Sequence, residues 1–278
     1  MSNEQDQSVV QHLNKCHATQ PVTLGPSLAV GASRVILMAG PCSVENYAQV
    51  RATAEAIARA GGRVLRGGAY KPRTSPHSFQ GLGAPALEML RAVADEFNLL
   101  VISEALGVEH IPLVAAHADI IQIGSRNMQH YPLLWAAGEL DRPVLLKRGF
   151  MSTVDEWLQA ADHISSRGNE RIILCERGIR TFETATRNTL DTNAIALVKQ
   201  VSPYPVLADP SHATGRADLV IPAARSAVAA GADGLLVEFH PDPSNALSDG
   251  PQSLPLATLP DFYRQIGKIA NAVGRELI

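Results

Sequence analysis

Cys42, His212, Glu238 and Asp249 stand far apart in this chain of 278 residues. Together they offer one thiolate, one imidazole and two carboxylates, a mixed donor set that suits a borderline divalent metal such as Mn, Fe, Co or Zn. No local C-x-x-C spacing supports the set, so it has meaning only if the fold brings the four together. Taken singly, Cys42 could be a small buried hydrophobe after a strand, and His212 in Ser211-His212-Ala213-Thr214-Gly215 could be a helix-start or loop residue.

A second set is cationic: Arg66, Lys71, Arg73, Arg126, Lys147 and Arg177. One such charge near a strand end would be read as solvated. Six converging on one mouth require anions, because unpaired charge in a poorly hydrated site is costly. Arginine forks bind phosphate or carboxylate through two hydrogen bonds, and lysine acts as a point charge. The expected ligands therefore carry several negative groups. Structural pairs with Glu104 and Glu176 could absorb two of the cations.

These residues need a scaffold that collects the ends of many strands. From residue 35 onward the sequence repeats a short β-branched apolar run, a loop, and a helix-period stretch rich in Ala, Leu and Glu. The strands are expected at 35–40, 64–69, 99–105, 119–124, 143–149, 171–178, 205–210 and 234–241. The helices are expected near 46–60, 84–97, 109–116, 127–138, 153–167, 191–199, 216–230 and 258–274. Nearly all-apolar strands imply burial on both faces, and eight βα units fit an α/β (β/α)8 TIM barrel spanning 34–278. An open doubly wound sheet is second, since no G-x-G-x-x-G follows the first strand. Residues 1–33 fall outside the rhythm. There Val22–Leu24 and Leu28–Val30 could form a hairpin over the barrel floor, and the first fifteen or so residues are expected to be partly flexible.

In such a barrel the chemistry sits at the C-terminal strand ends, where every residue of both sets falls.

Composition narrows the classes. Hydrophobic residues are 46% and charged residues 18%, which fits one large soluble core. A net charge of −3 gives no reason to expect nucleic acid or a membrane surface as partner. The N-terminus lacks signal-peptide features, so a cytoplasmic location is expected. Cys16 and Cys175 read as ordinary reduced thiols.

Gly40-Pro41-Cys42-Ser43-Val44-Glu45, Arg66 through Ser75, Leu146-Lys147-Arg148-Gly149, Cys175-Glu176-Arg177-Gly178, Asp209-Pro210-Ser211-His212 and Leu247-Ser248-Asp249-Gly250 together resemble the type Iβ group of 3-deoxy-D-arabino-heptulosonate 7-phosphate (DAHP) synthases. The resemblance spans roughly 34–275. It implies a transferase at the first step of the shikimate pathway, toward aromatic amino acids, in which phosphoenolpyruvate condenses with erythrose 4-phosphate, water adds and phosphate leaves. It implies Cys42, His212, Glu238 and Asp249 as metal ligands and Arg66, Lys71, Arg126, Lys147 and Arg177 around phosphoenolpyruvate. It places Arg73, Thr74 and Ser75 at the aldose phosphate, and a homodimer or homotetramer is usual in the family. Lys71, Glu104, Lys147 and His212 are the candidates for the catalytic steps.

Two other readings stand beside it. A 3-deoxy-D-manno-octulosonate 8-phosphate synthase would act on arabinose 5-phosphate, but that family has Lys-Ala-Asn-Arg-Ser where this chain has Lys71-Pro72-Arg73-Thr74-Ser75. A non-catalytic sugar-phosphate-binding barrel would be expected to have lost ligands, yet all four are present. About 34 residues precede the first barrel strand and nothing follows the last helix, so the expectation is an enzyme without an attached regulatory domain, unregulated or regulated by a separate partner.

Overall fold

A computed structural model describes residues 18–25, 27–71 and 77–278. Cys16, Arg73, Thr74 and Ser75 lie outside the described residues.

Eight parallel strands close on themselves: β3 (Arg34–Gly40), β4 (Val64–Arg66), β5 (Leu100–Ala105), β6 (Ile120–Ile123), β7 (Val144–Lys147), β8 (Ile172–Glu176), β9 (Val206–Ala208) and β10 (Gly234–His240). Closure is the pairing of β10 with β3, from Gly234 against Ile36 to Glu238 against Gly40. That pairing excludes the open sheet. Helices cover the outside, among them 47–59, 84–96, 154–165, 217–229 and 259–272. The expected strands ran past the ladder at several ends, because the last residues of a barrel strand leave the sheet to enter the rim loops.

Alternation along each strand decides which residues meet. Val35, Leu37 and Ala39 face outward into the layer between strands and helices. Ile36 and Met38 face inward and join Val64, Ile102, Ile120, Leu145, Ile173, Cys175, Leu207 and Leu236 in an inner core. Two residues further along each strand, on the same inward side, stand Arg66, Glu104, Gln122, Lys147, Arg177, Asp209 and Glu238. A layer of aliphatic side chains thus carries a layer of polar ones directly above it, at the C-terminal rim.

The N-terminal end of the barrel is sealed differently. β1 (Val22–Gly25) pairs antiparallel with β2 (Leu28–Val30). Val22, Leu24, Leu28 and Val30 of this hairpin are buried against the inner core. Arg171 ties it to the barrel by donating to the Thr23 carbonyl at 2.9 Å. No helix among the described residues is long and apolar enough to cross a membrane.

One local expectation changes. Residues 210–214 are not loop but a single helical turn, Pro210–Thr214. Asp209 caps it by accepting from the His212 backbone N–H at 3.0 Å, Pro210 supplies a preset φ, and Gly215 ends it at φ 66°. The helix expected from 127 begins at Tyr131, after a short turn at Ser125–Asn127, where Pro132 fits the first turn.

Because Leu24 is buried against the inner core, Leu24→Ala should lower unfolding free energy by about 2–5 kcal/mol. Denaturant melting checks this, and a parent-like midpoint would remove the hairpin from the core.

Candidate metal centre and anion-binding rim

β10 delivers Glu238, the loop after it delivers Asp249, the loop after β3 delivers Cys42, and the 210–214 turn delivers His212. One donor atom each from Cys42, Glu238 and Asp249 lies within 4.8 Å of the others. His212 is not one of that tight three but borders it: its Nε2 is 3.5 Å from Glu238 Oε1 and 3.8 Å from Asp249 Oδ2. The fold therefore gathers all four candidate ligands at one place.

The chemistry of this cluster fits a divalent cation. The Cys42 thiol donates to Asp249 Oδ2 at 3.1 Å and accepts from the Ser248 hydroxyl at 2.7 Å. Burial, followed by the charge of Glu238, pushes that thiol up to about 12, with Asp249 adding to the effect and Lys71 and Arg66 opposing it. A thiol crowded by two carboxylates gains most from a cation that converts it to thiolate. Burial alone would raise the Asp249 carboxyl, but His212, the Cys42 hydrogen bond, Arg187 and Lys71 bring it down to about 2. Burial pulls the His212 imidazole below its ordinary value, which favours the neutral, ligating form. Asp249 also holds a left-handed backbone, φ 52°, unusual for a residue other than glycine and a mark of a position fixed by its surroundings.

Not all supporting residues were legible beforehand. Gln252 is buried and donates from Nε2 to Glu238 Oε2 at 2.6 Å. Arg187 donates from Nη1 to Gln252 Oε1 at 2.9 Å and to Asp249 Oδ1 at 3.3 Å. Asp209 Oδ2 is 2.7 Å from His212 Nδ1, an ion-pair approach rather than an aligned hydrogen bond, and so faces the ring edge opposite the cluster. Glu45 accepts from Leu247 N at 2.8 Å and lies 3.4 Å from His240 Nε2, pinning the Asp249 loop to the first rim loop. Asp209, in the Asp-Pro-Ser-His segment, and Glu45 and Leu247, in the first and last segments of the resemblance, had a sequence signal. The others appear when the loops fold together.

The six expected cations divide. Arg66 is buried, and its Nη1 donates to Glu238 Oε1 at 2.7 Å and to the Pro41 carbonyl at 2.8 Å. Lys147 is 2.5 Å from Asp209 Oδ2, both buried. Although burial alone would raise it, His212 and Lys147 hold the Asp209 carboxyl well below the ordinary range. The carboxylates that pair with members of this set are Glu238 and Asp209 rather than Glu104 and Glu176, and Glu104 instead accepts from Gln122 Nε2 at 2.7 Å. Glu176 takes Arg148 at 2.9 Å, as Asp191 does. Lys71, Arg126 and Arg177 have no carboxylate within 4.0 Å among the described residues. Arg73 lies outside them.

Lys71 reaches toward the Cys42–Glu238–Asp249 cluster through space that a glycine leaves open. A Cβ on Gly68 would sit 2.4 Å from Lys71 Nζ and 2.8 Å from the Cys42 carbonyl. Gly124 does the same for Glu104, whose Oε1 would be 2.1 Å from a Cβ there. Arg66, Lys71, Glu104 and Gln122 line one recess beside the cluster. Cys175 is buried in the inner core, where desolvation raises its thiol strongly.

Two substitutions test the centre. Cys42→Ser should weaken Mn(II) or Cd(II) binding at least about tenfold, and Gln252→Leu by about 10–100-fold, with far-UV circular dichroism unchanged. Calorimetric titration of the two variants measures both, and parent-like affinity in Cys42→Ser would remove the thiol from the ligand set.

The DAHP synthetase I family matches residues 19–274. The chain is 54% identical over 245 residues to the phospho-2-dehydro-3-deoxyheptonate aldolase of Thermotoga maritima, covering 88% of this chain and 72% of that protein. It is 32% identical over 272 residues to the 2-dehydro-3-deoxyphosphooctonate aldolase of Geobacter sulfurreducens, covering 90% and 98%. The crystal structure of the Thermotoga maritima DAHP synthase superposes with a TM-score of 0.91 at 51% identity, over 94% of this chain and 76% of that one. A truncated form of 3-deoxy-D-arabino-heptulosonate 7-phosphate synthase from the same organism superposes at 0.87 with 47% identity, over 94% and 95%. By family match, identity and fold together, this chain belongs to the DAHP synthetase I family.

Proposed function

We propose that the chain is a DAHP synthase that condenses phosphoenolpyruvate with erythrose 4-phosphate. The observation that carries the reading is the pairing at one rim of a thiol–imidazole–dicarboxylate cluster with cations left without carboxylate partners. The 54% identity to a heptonate aldolase, against 32% to an octonate aldolase, supports the four-carbon aldose over the five-carbon one.

The catalytic unit is the barrel of residues 34–278, preceded by an N-terminal extension of residues 1–33 whose strands Val22–Gly25 and Leu28–Val30 close the floor. Cys42, His212, Glu238 and Asp249 would hold the divalent ion, with Mn, Fe, Co and Zn all compatible with the donors. When bound, that ion supplies Lewis-acid polarisation at the aldehyde oxygen. Arg126 and Arg177 hold the phosphoenolpyruvate phosphate, and Arg66 and Lys71 border its carboxylate. Its methylene carbon forms a bond to the aldehyde carbon, and Lys71 Nζ gives a proton to the new alkoxide. Water then adds to the enol carbon. Glu104, oriented by Gln122, accepts a proton from that water. The hydroxyl left on that carbon passes its proton to the departing phosphate as the C–O bond breaks, giving the ketone and inorganic phosphate, which Arg126 and Arg177 stabilise. Lys147 acts through Asp209 rather than as a free cation: it balances the carboxylate that positions His212. Arg73, Thr74 and Ser75 bind the aldose phosphate.

Holding two anionic substrates together against their repulsion is much of the work, and fixed cations do it without reorganisation. Phosphate release measured with erythrose 4-phosphate and with arabinose 5-phosphate tests the reading. Turnover confined to arabinose 5-phosphate would assign the octulosonate reaction, and none with either aldose would leave a binding barrel. Arg73→Ala should raise the Michaelis constant for the aldose phosphate by about tenfold or more and leave that for phosphoenolpyruvate in place.

A further inference from the structure

The loop after β7 presents Phe150, half-buried at the rim. Three guanidinium groups surround its ring. Arg177 lies 4.6 Å from the ring centroid, Arg180 5.1 Å and Arg126 5.5 Å. The Arg180 backbone N–H also donates to the Phe150 carbonyl at 2.7 Å, so the rim loops after β7 and β8 are joined at this residue. None of the three arginines has a carboxylate within 4.0 Å among the described residues, whereas Arg66, Lys147 and Arg148 each have one within 3.0 Å.

This contrast has a physical meaning. Like charges packed around one point repel, and something must hold them. A carboxylate would hold them but would also neutralise them. The face of an aromatic ring attracts a guanidinium through its quadrupole, within about 6 Å of the centroid, and adds no net charge. An arginine on a ring therefore keeps its full charge and its hydrogen-bond fork for a ligand. Burial and neighbouring Arg187 lower Arg177, but only to about 10, so it remains cationic at neutral pH.

We propose that Phe150 is the positioning residue of a three-arginine subsite for a dianionic phosphate ester, and that Arg180 is its third arm. The inference rests on the reading of Arg126 and Arg177 as phosphate-binding groups, and adds to it a residue that fixes them and a cation beyond them. The ester phosphate of the first substrate and the inorganic phosphate released from it share this chemistry.

Three variants of the full chain test it: Phe150→Leu, which keeps apolar bulk but removes the ring, Phe150→Tyr, which keeps the ring, and Arg180→Gln at an exposed position. Phe150→Leu should raise the Michaelis constant for phosphoenolpyruvate and the inhibition constant of inorganic phosphate by about tenfold. Turnover number should fall as well, by about tenfold, because the same arginines stabilise the leaving phosphate, whereas the constant for the aldose phosphate should stay within about threefold, and Phe150→Tyr should restore parent values. Arg180→Gln should shift the same two constants by about fivefold. Parent-like constants in both Phe150→Leu and Arg180→Gln would overturn the proposal. So would a uniform loss in turnover and in both Michaelis constants that the tyrosine fails to rescue. Calorimetric binding of phosphoenolpyruvate and of inorganic phosphate, done alongside, separates this inference from the enzymatic one. Weakened binding in the variants supports the subsite even if the parent turns over neither aldose, while unchanged binding sinks it whatever the parent catalyses.

Discussion

Glu238 stands near the end of the closing strand of the barrel, almost wholly removed from water. A carboxylate there is tolerable only because polar groups approach it from several directions: Arg66 at 2.7 Å, Gln252 at 2.6 Å and His212 at 3.5 Å. His212, Arg66 and Lys71 bring it below the ordinary carboxylate range in spite of the burial and of neighbouring Asp249. Much of the metal-ligand side of the rim follows from keeping this buried charge satisfied. Cys42 and Asp249 join it in one acidic cluster. Such a cluster has a surplus of negative charge and donor atoms, and a divalent cation answers both.

Asp209, at the end of the neighbouring strand, has the matching role. It accepts from Lys147, approaches the His212 ring and caps the turn on which His212 rides. A single buried carboxylate thus sets both the backbone and the ring environment of a metal-ligand candidate. The cost is that Lys147 is no longer a free cation. The remaining positive charge falls to Lys71, held in space that Gly68 leaves open, and to the arginines packed on Phe150. Two modes of holding a cation coexist at the rim, one neutralising and one not.

The opposite end of the barrel is closed by apolar packing, with ion pairs such as Lys199–Asp233 and Arg275–Asp233 at its margin. The hairpin of β1 and β2 buries Val22, Leu24, Leu28 and Val30 against the inner aliphatic layer. That layer separates the floor from the rim, so the groups that seal the barrel and the groups that do chemistry share a scaffold without touching. A tightly packed layer between them also keeps the rim residues from sinking inward.

The fold class was legible in the chain because its cause is local and repeated: apolar runs of strand length alternating with helix-period stretches. The gathering of Cys42, His212, Glu238 and Asp249 was legible too, since a barrel rim collects strand ends wherever they fall in the sequence. What the chain alone did not show was pairing. Arg66 and Lys147 read as free cations because a sequence lists charges but not the carboxylates that fold against them, here Glu238 and Asp209. Gln252, Arg187 and Phe150 carried no motif, and their roles arise from loops separated by tens of residues closing on one point. The helical turn at Pro210–Thr214 was hidden because five residues hold too little periodicity to read. Local periodicity determined the barrel and its rim. Only tertiary contact decided which charges cancel and which stay available, because a pairing energy depends on distance and burial, and neither is written along the chain.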